Sequence, residues 1–156
     1  MKITLLCSDL HHPVNDYLTA WMDTQQGLHQ VELLQNKSQL SGGDLLFLIS
    51  CSEIIKENDR SKYQATLVLH ASDLPKGRGW SPHIWEVVQG AEHITLSLLE
   101  AEDKVDSGRI WAKQHIPVPQ DALWDEINHR LFTAEIELID LAVRQFGQLT
   151  PVIQTH

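Results

Sequence analysis

An α/β fold with a mostly parallel twisted sheet, flanking helices and a long C-terminal helix is predicted by three observations. Apolar segments of strand length alternate along the chain with segments of helical period, the pattern of parallel-sheet proteins. Asp44 to Ser50 is an unbroken apolar run, as expected of a strand covered on both faces. Residues 120–146 repeat Leu123, Ile127, Leu131, Ala134, Leu138 and Leu141 at steps of three and four, and Gly147 stops the pattern.

The elements follow in order. Residues 2–7 read as a buried first strand ended by the polar stretch Ser8 to His12. Pro13 suits the first position of a helix, and Val14, Tyr17, Leu18, Trp21 and Met22 form its apolar stripe up to Gly27. His29 to Leu34 alternate as a second strand, Gly42-Gly43 is a turn, and the run from Asp44 is the third strand. A short helix is expected within residues 53–62, and Gln64 to His70 form the next strand. Pro75, Gly77 and Gly79 make residues 71–79 a loop, and Ser81-Pro82 caps a helix that ends at Gly90. Ile94 to Leu99 is a strand, Ser107-Gly108 a turn, and Arg109 to Val118 the last strand region. With 156 residues and no linker, the chain reads as one domain, 1–156.

Composition excludes several classes. The net charge is -9 and basic runs are missing, whereas a nucleic-acid binder usually shows a basic face, so RNA and DNA are not expected as main partners. The longest apolar run is far short of a membrane span, and the N-terminus lacks a signal-peptide pattern. Two cysteines cannot form a disulfide framework, which suits a reducing, cytoplasmic setting. Nine histidines are scattered without metal-ligand spacing, so a metal site is not expected. The apolar long helix either buries its stripe internally or shares it with a second subunit, and a homodimer is the commonest closed assembly.

Ligands of open α/β sheets sit at the carboxyl ends of the strands. Those ends are placed by sequence at Cys7-Ser8-Asp9, Ser50-Cys51-Ser52, His70-Ala71-Ser72 and Glu100 to Asp106. Neither G-x-G-x-x-G after the first strand nor a P-loop occurs, so the dinucleotide and nucleotide-triphosphate readings fail. Cys51 is read as a small buried residue ahead of a nucleophile. The informative stretches are Leu69 to Gly79, where a histidine leaves a strand into a Pro/Gly loop, and Glu100 to Gly108, an acidic loop ending Asp-Ser-Gly. His70 and Asp106 on neighbouring strand ends would form a proton-handling pair, in which the acid sets the imidazole's charge state. A satisfied structural histidine and an ordinary Asp-Ser-Gly turn are the plain alternatives.

His-x-Ser-x-Leu-Pro-x-x-Arg-Gly from His70, followed by Val105-Asp106-Ser107-Gly108, resembles the formyltransferase family. The likeness extends to Asp44 to Ile55, Trp80 to Trp85, Ile116-Pro117-Val118 and the last helix. It implies a compact Rossmann-like catalytic fold and transfer of a formyl group from N10-formyltetrahydrofolate to an amine. By this resemblance His70 donates to the developing oxyanion or shuttles its proton. Asp106 holds the imidazolium and, through water, helps to deprotonate the amine. Backbone groups of Ser52, Glu53 and Ile55, and of Ala101, Glu102, Asp103 and Lys104, would hold the pterin.

One position departs from the pattern. The family's Asn-x-His is Val68-Leu69-His70 here, and residues two apart in a strand share a face, so Val68 stands where a donor amide is expected. Either another group or water replaces that donor, or the protein binds folate or a sugar nucleotide without transfer. Loss of one such donor typically costs about 10²–10³ in rate. The acidic charge and the end of the chain soon after the long helix argue against tRNA as acceptor. The His-Pro-Val-Asn stretch and the His70 loop look most like small bacterial formyltransferase-like proteins of nonulosonic (pseudaminic or legionaminic) acid pathways. The acceptor this implies is an amino group on a UDP-linked dideoxy sugar. Candidate substrate contacts are His11, His12 and Asn15, with the alternative of a solvated loop. Arg78 would hold a phosphate or pin its loop, and Trp80 would stack on a sugar or base or simply pack.

Overall fold

A computed structural model describes residues 1–71, 93–119 and 121–154. Its centre is a six-stranded sheet in the order β2-β1-β3-β4-β5-β6. The strands are β1 (Lys2–Leu6), β2 (Gln30–Leu34), β3 (Gly43–Leu48), β4 (Tyr63–His70), β5 (His93–Glu100) and β6 (Ile110–Pro117). β1 pairs in parallel with β2 and β3, and β3 with β4. β4–β5 and β5–β6 are antiparallel. The sequence reading of a mostly parallel sheet thus holds for four strands. β5 and β6 alternate like the others, and period alone carries no strand direction. The expected Ser81 to Gly90 helix lies outside the described residues, as does the loop after Ala71.

The helices are α1 (Val14–Thr24), a single turn α2 (Glu57–Arg60) and α3 (Trp124–Arg144). Pro13 sits at the N-cap of α1, one position before the expected one. Gly27 follows α1 in the left-handed region (φ 82°), where a side chain would be strained.

Strand alternation sorts side chains onto two faces. Ile3, Leu5, Leu45, Phe47, Leu67, Ile94, Leu96 and Leu98 pack against Val14, Leu18 and Trp21 of α1 and the apolar stripe of α3. Ile127, Leu131, Ala134 and Leu138 of that stripe are buried within the chain, so a second subunit is not required to cover it. The opposite face is thinner, built from Leu6, Leu46 and Leu48 with Leu40 and Tyr63, and Val68 at its margin. A hydrogen-bond relay runs along this side. Tyr63 Oη donates to Thr4 Oγ1 (2.9 Å), Thr4 Oγ1 to Glu32 Oε1 (2.9 Å), and Ser41 Oγ to the same Glu32 oxygen (3.0 Å). Thr4 is fully buried, so its hydroxyl needs these partners.

Two features shape the loop between β5 and β6. Glu100 N–H donates to Arg109 O at 2.9 Å, closing the neck of the turn. A Cβ at Gly108 would run into Glu100 O, so this close approach requires glycine. After α3 the chain returns beside β6, where Val152 and Ile110 exchange two backbone hydrogen bonds of 2.8 Å. Among the described residues no helix is long and apolar enough to cross a membrane.

Candidate active site

Strand order reverses between β1 and β3, since β1 leads outward to β2 and β3 leads the other way. Ligand crevices of open α/β sheets form at such a switch point. A cleft of about 660 Å³ lies there. Its walls are the loop after β3, the end of β4, the loop after β5, and Asn128, Leu131, Phe132 and Glu135 of α3.

His70 ends β4 at the floor of the cleft, with its Nδ1 3.5 Å from Asp106 Oδ2. Their side chains are 11% and 8% exposed, so water has little access to the pair. Such a distance is long for a hydrogen bond.

The route by which Asp106 arrives differs from the sequence reading. β5 runs antiparallel to β4, with Glu100 level with Leu67, so its carboxyl end does not share an edge with those of β3 and β4. Residues 101–109 instead fold back and carry Asp106 to His70. Asp106 takes a left-handed backbone (φ 53°), and Ser50 at the opposite wall takes another (φ 49°). Both residues that carry this strain line the cleft, where strained backbone tends to mark function.

Ser52 N–H donates to Ser8 Oγ at 2.7 Å, tying the loop after β3 to the one after β1. His12 joins the same assembly. Val14 N–H donates to its Nδ1 (3.1 Å), so the neutral ring carries its proton on Nε2, which lies 3.3 Å from Ser50 Oγ. Burial lowers the His12 pKa and favours this neutral form, with Asp9 opposing. Phe132 meets the ring edge-on.

The other sequence candidates divide. Ser52, Glu53, Ile55, Ala101, Glu102 and Asp103 line the cleft with His12. Lys104 falls outside the lining, with its carbonyl accepting from Ser107 Oγ. His11 is exposed and also outside it. Asn15 turns inward instead, donating to Asp9 O, Leu10 O and His12 O, and so shapes the loop that presents His12. Arg78 and Trp80 lie outside the described residues. Val68 lines the cleft on the His70 side and packs against Leu99 and Ile110. Burial raises the Cys7 thiol pKa, and Cys51 packs against the thinner core, in keeping with structural cysteines.

Sequence reasoning missed two residues. Arg60 donates to Ile55 O and to Asp103 Oδ1, each at 2.8 Å, and so ties together the two loops expected to hold the pterin. Glu135 is an acid among the apolar positions of α3, 8% exposed, with Oε2 lacking a hydrogen-bond partner among the described residues. Burial pushes its pKa from 4.5 to about 8. The signal was available, since an acid one position beyond Ala134 interrupts the buried stripe.

Comparison with known proteins decides the family: the sequence pattern of the family described as formyl transferase matches residues 1–143. The chain belongs to the formyl transferase family. It is 29% identical over 119 residues to methionyl-tRNA formyltransferase of Sorangium cellulosum, a match covering 74% of this chain and 38% of that relative. The chain therefore spans well under half the length of that curated relative. The fold superposes on methionyl-tRNA formyltransferase from Clostridium thermocellum with a TM-score of 0.83 at 18% identity, covering 100% of this chain and 69% of the other. It also superposes on the formyltransferase PseJ from Anoxybacillus kamchatkensis, solved with UDP-4,6-dideoxy-4-formamido-L-AltNAc and tetrahydrofolate. That TM-score is 0.75 at 19% identity, covering 99% and 82% of the two chains. The fold of this family member is thus a formyltransferase fold, with the fold class read from sequence intact.

Proposed function

We infer that residues 1–156 act as one catalytic domain that moves a formyl group from N10-formyltetrahydrofolate to the amine of a small acceptor. The observation that carries this reading is the nearly buried His70–Asp106 pair at the floor of the switch-point cleft. In the reaction the amine nitrogen bonds to the formyl carbon, the carbonyl oxygen takes up negative charge, and the bond to N10 then breaks. His70 donates to that oxygen. Asp106 stabilises the imidazolium and, through water, relays the amine proton toward the departing nitrogen. Donors aimed at developing charge are worth about 3–4 kcal/mol each.

The residues present suit a folate. Carbonyls of Ile54 and Ile55 are held from behind by Lys37 Nζ and Arg60, which stiffens the wall offered to the pterin. Ala101 N–H is anchored on Thr66 O. Val68 gives that wall an apolar patch where the family pattern has an amide donor, so water or a substrate group supplies the missing hydrogen bond. Arg60→Ala is expected to raise KM for the folate about tenfold and to leave kcat nearly unchanged, because it loosens the two walls without touching His70. Steady-state kinetics check this, and an unchanged KM would remove Arg60 from the site.

The acceptor we favour is a UDP-linked amino-dideoxy sugar of a nonulosonic, pseudaminic-type pathway. The net charge of -9 and the UDP-linked formamido sugar bound in the PseJ structure support it. Methionyl-tRNA is the second reading, favoured by the curated relatives of that name. Formyl transfer to a panel of UDP-amino sugars and to methionyl-tRNA, read by mass spectrometry with His70→Ala as control, separates the two. Folate binding without any formylated product would instead identify a binding protein.

A further inference from the structure

We propose that Gln154 is a positioning residue for Asp106, so that the tail beyond the long helix sets the geometry of the His70–Asp106 pair. The family match ends at residue 143, and the tail lies beyond it. Asp106 sits in a left-handed conformation within a loop that has no regular structure from residue 101 to 109. A non-glycine residue keeps such a conformation only where surrounding contacts hold it.

Gln154 holds it. Its Nε2 donates to Asp106 O at 2.9 Å and to Gly108 O at 2.8 Å, spanning the turn from both sides of Ser107. Gln154 is 8% exposed, and without its amide both carbonyls would lose a partner, that of Gly108 in a buried position and that of Asp106 in a part-buried one. The amide is itself held in place by the paired backbone bonds of Val152 with Ile110, two residues earlier on the edge of the sheet. A primary amide suits the task because one nitrogen carries two donors. A carboxylate at this position would face two carbonyl oxygens, and a thioether would donate to neither.

Gln154→Met keeps the volume and removes both donors. We expect kcat for formyl transfer to fall about 10–100-fold, as for a small misplacement of a reacting group, with KM for the folate unchanged. The His70 ring resonances of Gln154→Met should move toward those of Asp106→Asn. Ile153→Ala, at an exposed neighbouring position, should change neither readout. The kcat arm rests on the formyl-transfer reading, whereas the resonance arm tests the positioning even if no transfer is found. A lowered melting temperature with kcat and His70 resonances at wild-type values would overturn the proposal, because a merely structural tail predicts that pattern. Equal effects of Ile153→Ala and Gln154→Met would overturn it as well.

Discussion

His70→Ala is expected to lower kcat for formyl transfer by about 10²–10⁴-fold, the usual range for a positioned proton-transfer group. KM for the folate should change little, because the walls assigned to the pterin are held by Arg60, Lys37 and backbone anchors rather than by the imidazole. Asp106→Asn should cost a comparable factor. Its Oδ2 lies 3.5 Å from His70 Nδ1, and an amide there carries no charge to balance an imidazolium. The double variant should lose little more than either single one, since the two side chains act as a unit. Single-turnover assays at saturating folate measure all three. A loss below tenfold for His70→Ala would mean that the imidazole is not the oxyanion donor, and additive losses would mean that the pair does not act together.

Glu135→Gln is expected to stabilise the protein in a strongly pH-dependent way. In the unfolded chain the carboxyl ionises near 4.5, whereas in the fold burial keeps it protonated up to about 8. Between those values the unfolded state releases a proton that the folded state retains. Stability therefore falls as pH rises, by up to about 1.4 kcal/mol per pH unit, and levels off above the folded pKa. The accumulated loss is on the order of 5 kcal/mol. Glutamine has no such charge to suppress. The variant should match wild type near pH 4.5 and exceed it progressively toward pH 8.5, as measured by urea denaturation across that range. Parallel stability curves would show that Glu135 ionises normally in the fold. Because Glu135 also lines the cleft, acceptor KM in the same variant reports whether its carboxyl meets the acceptor.

Much of this was legible in the sequence because it depends on local period. The buried run from Asp44, the stripe of α3 and the strand ending at His70 each carry their own pattern over several residues. Direction does not. β5 pairs antiparallel with β4 and β6, and the loop that follows it is closed where Gly108 admits Glu100 O and Gln154 ties the carbonyls. These are contacts between residues far apart in sequence or of a kind that spacing does not encode. Strand ends offer His70 and Asp106 as a pair and the family resemblance gives the pair its role, but only the fold shows how a loop leaving the other edge brings them together. Arg60 was passed over because a lone arginine in a polar stretch has no pattern. Its role appears once Ile55 and Asp103 are known to be neighbours. His11 and Asn15 looked equivalent to His12 in sequence, and only the turn at Asp9 distinguishes them.

The relay from Tyr63 through Thr4 to Glu32 bears on how the parallel half of the sheet finds its alignment. A slip of one residue between parallel strands turns every apolar side chain to the wrong face and is rejected by the pleat. A slip of two restores the faces, and leucine-rich strands such as β1 and β3 would tolerate it with nearly equal packing. The relay does not tolerate it. Moving β1 by two residues would place Leu6 or Lys2 where Thr4 now stands, leaving the Tyr63 hydroxyl without its Thr4 acceptor and Glu32 Oε1 with Ser41 as the remaining donor of the relay. A few polar atoms on the thinner face thus discriminate among alignments that hydrophobic burial alone leaves nearly degenerate.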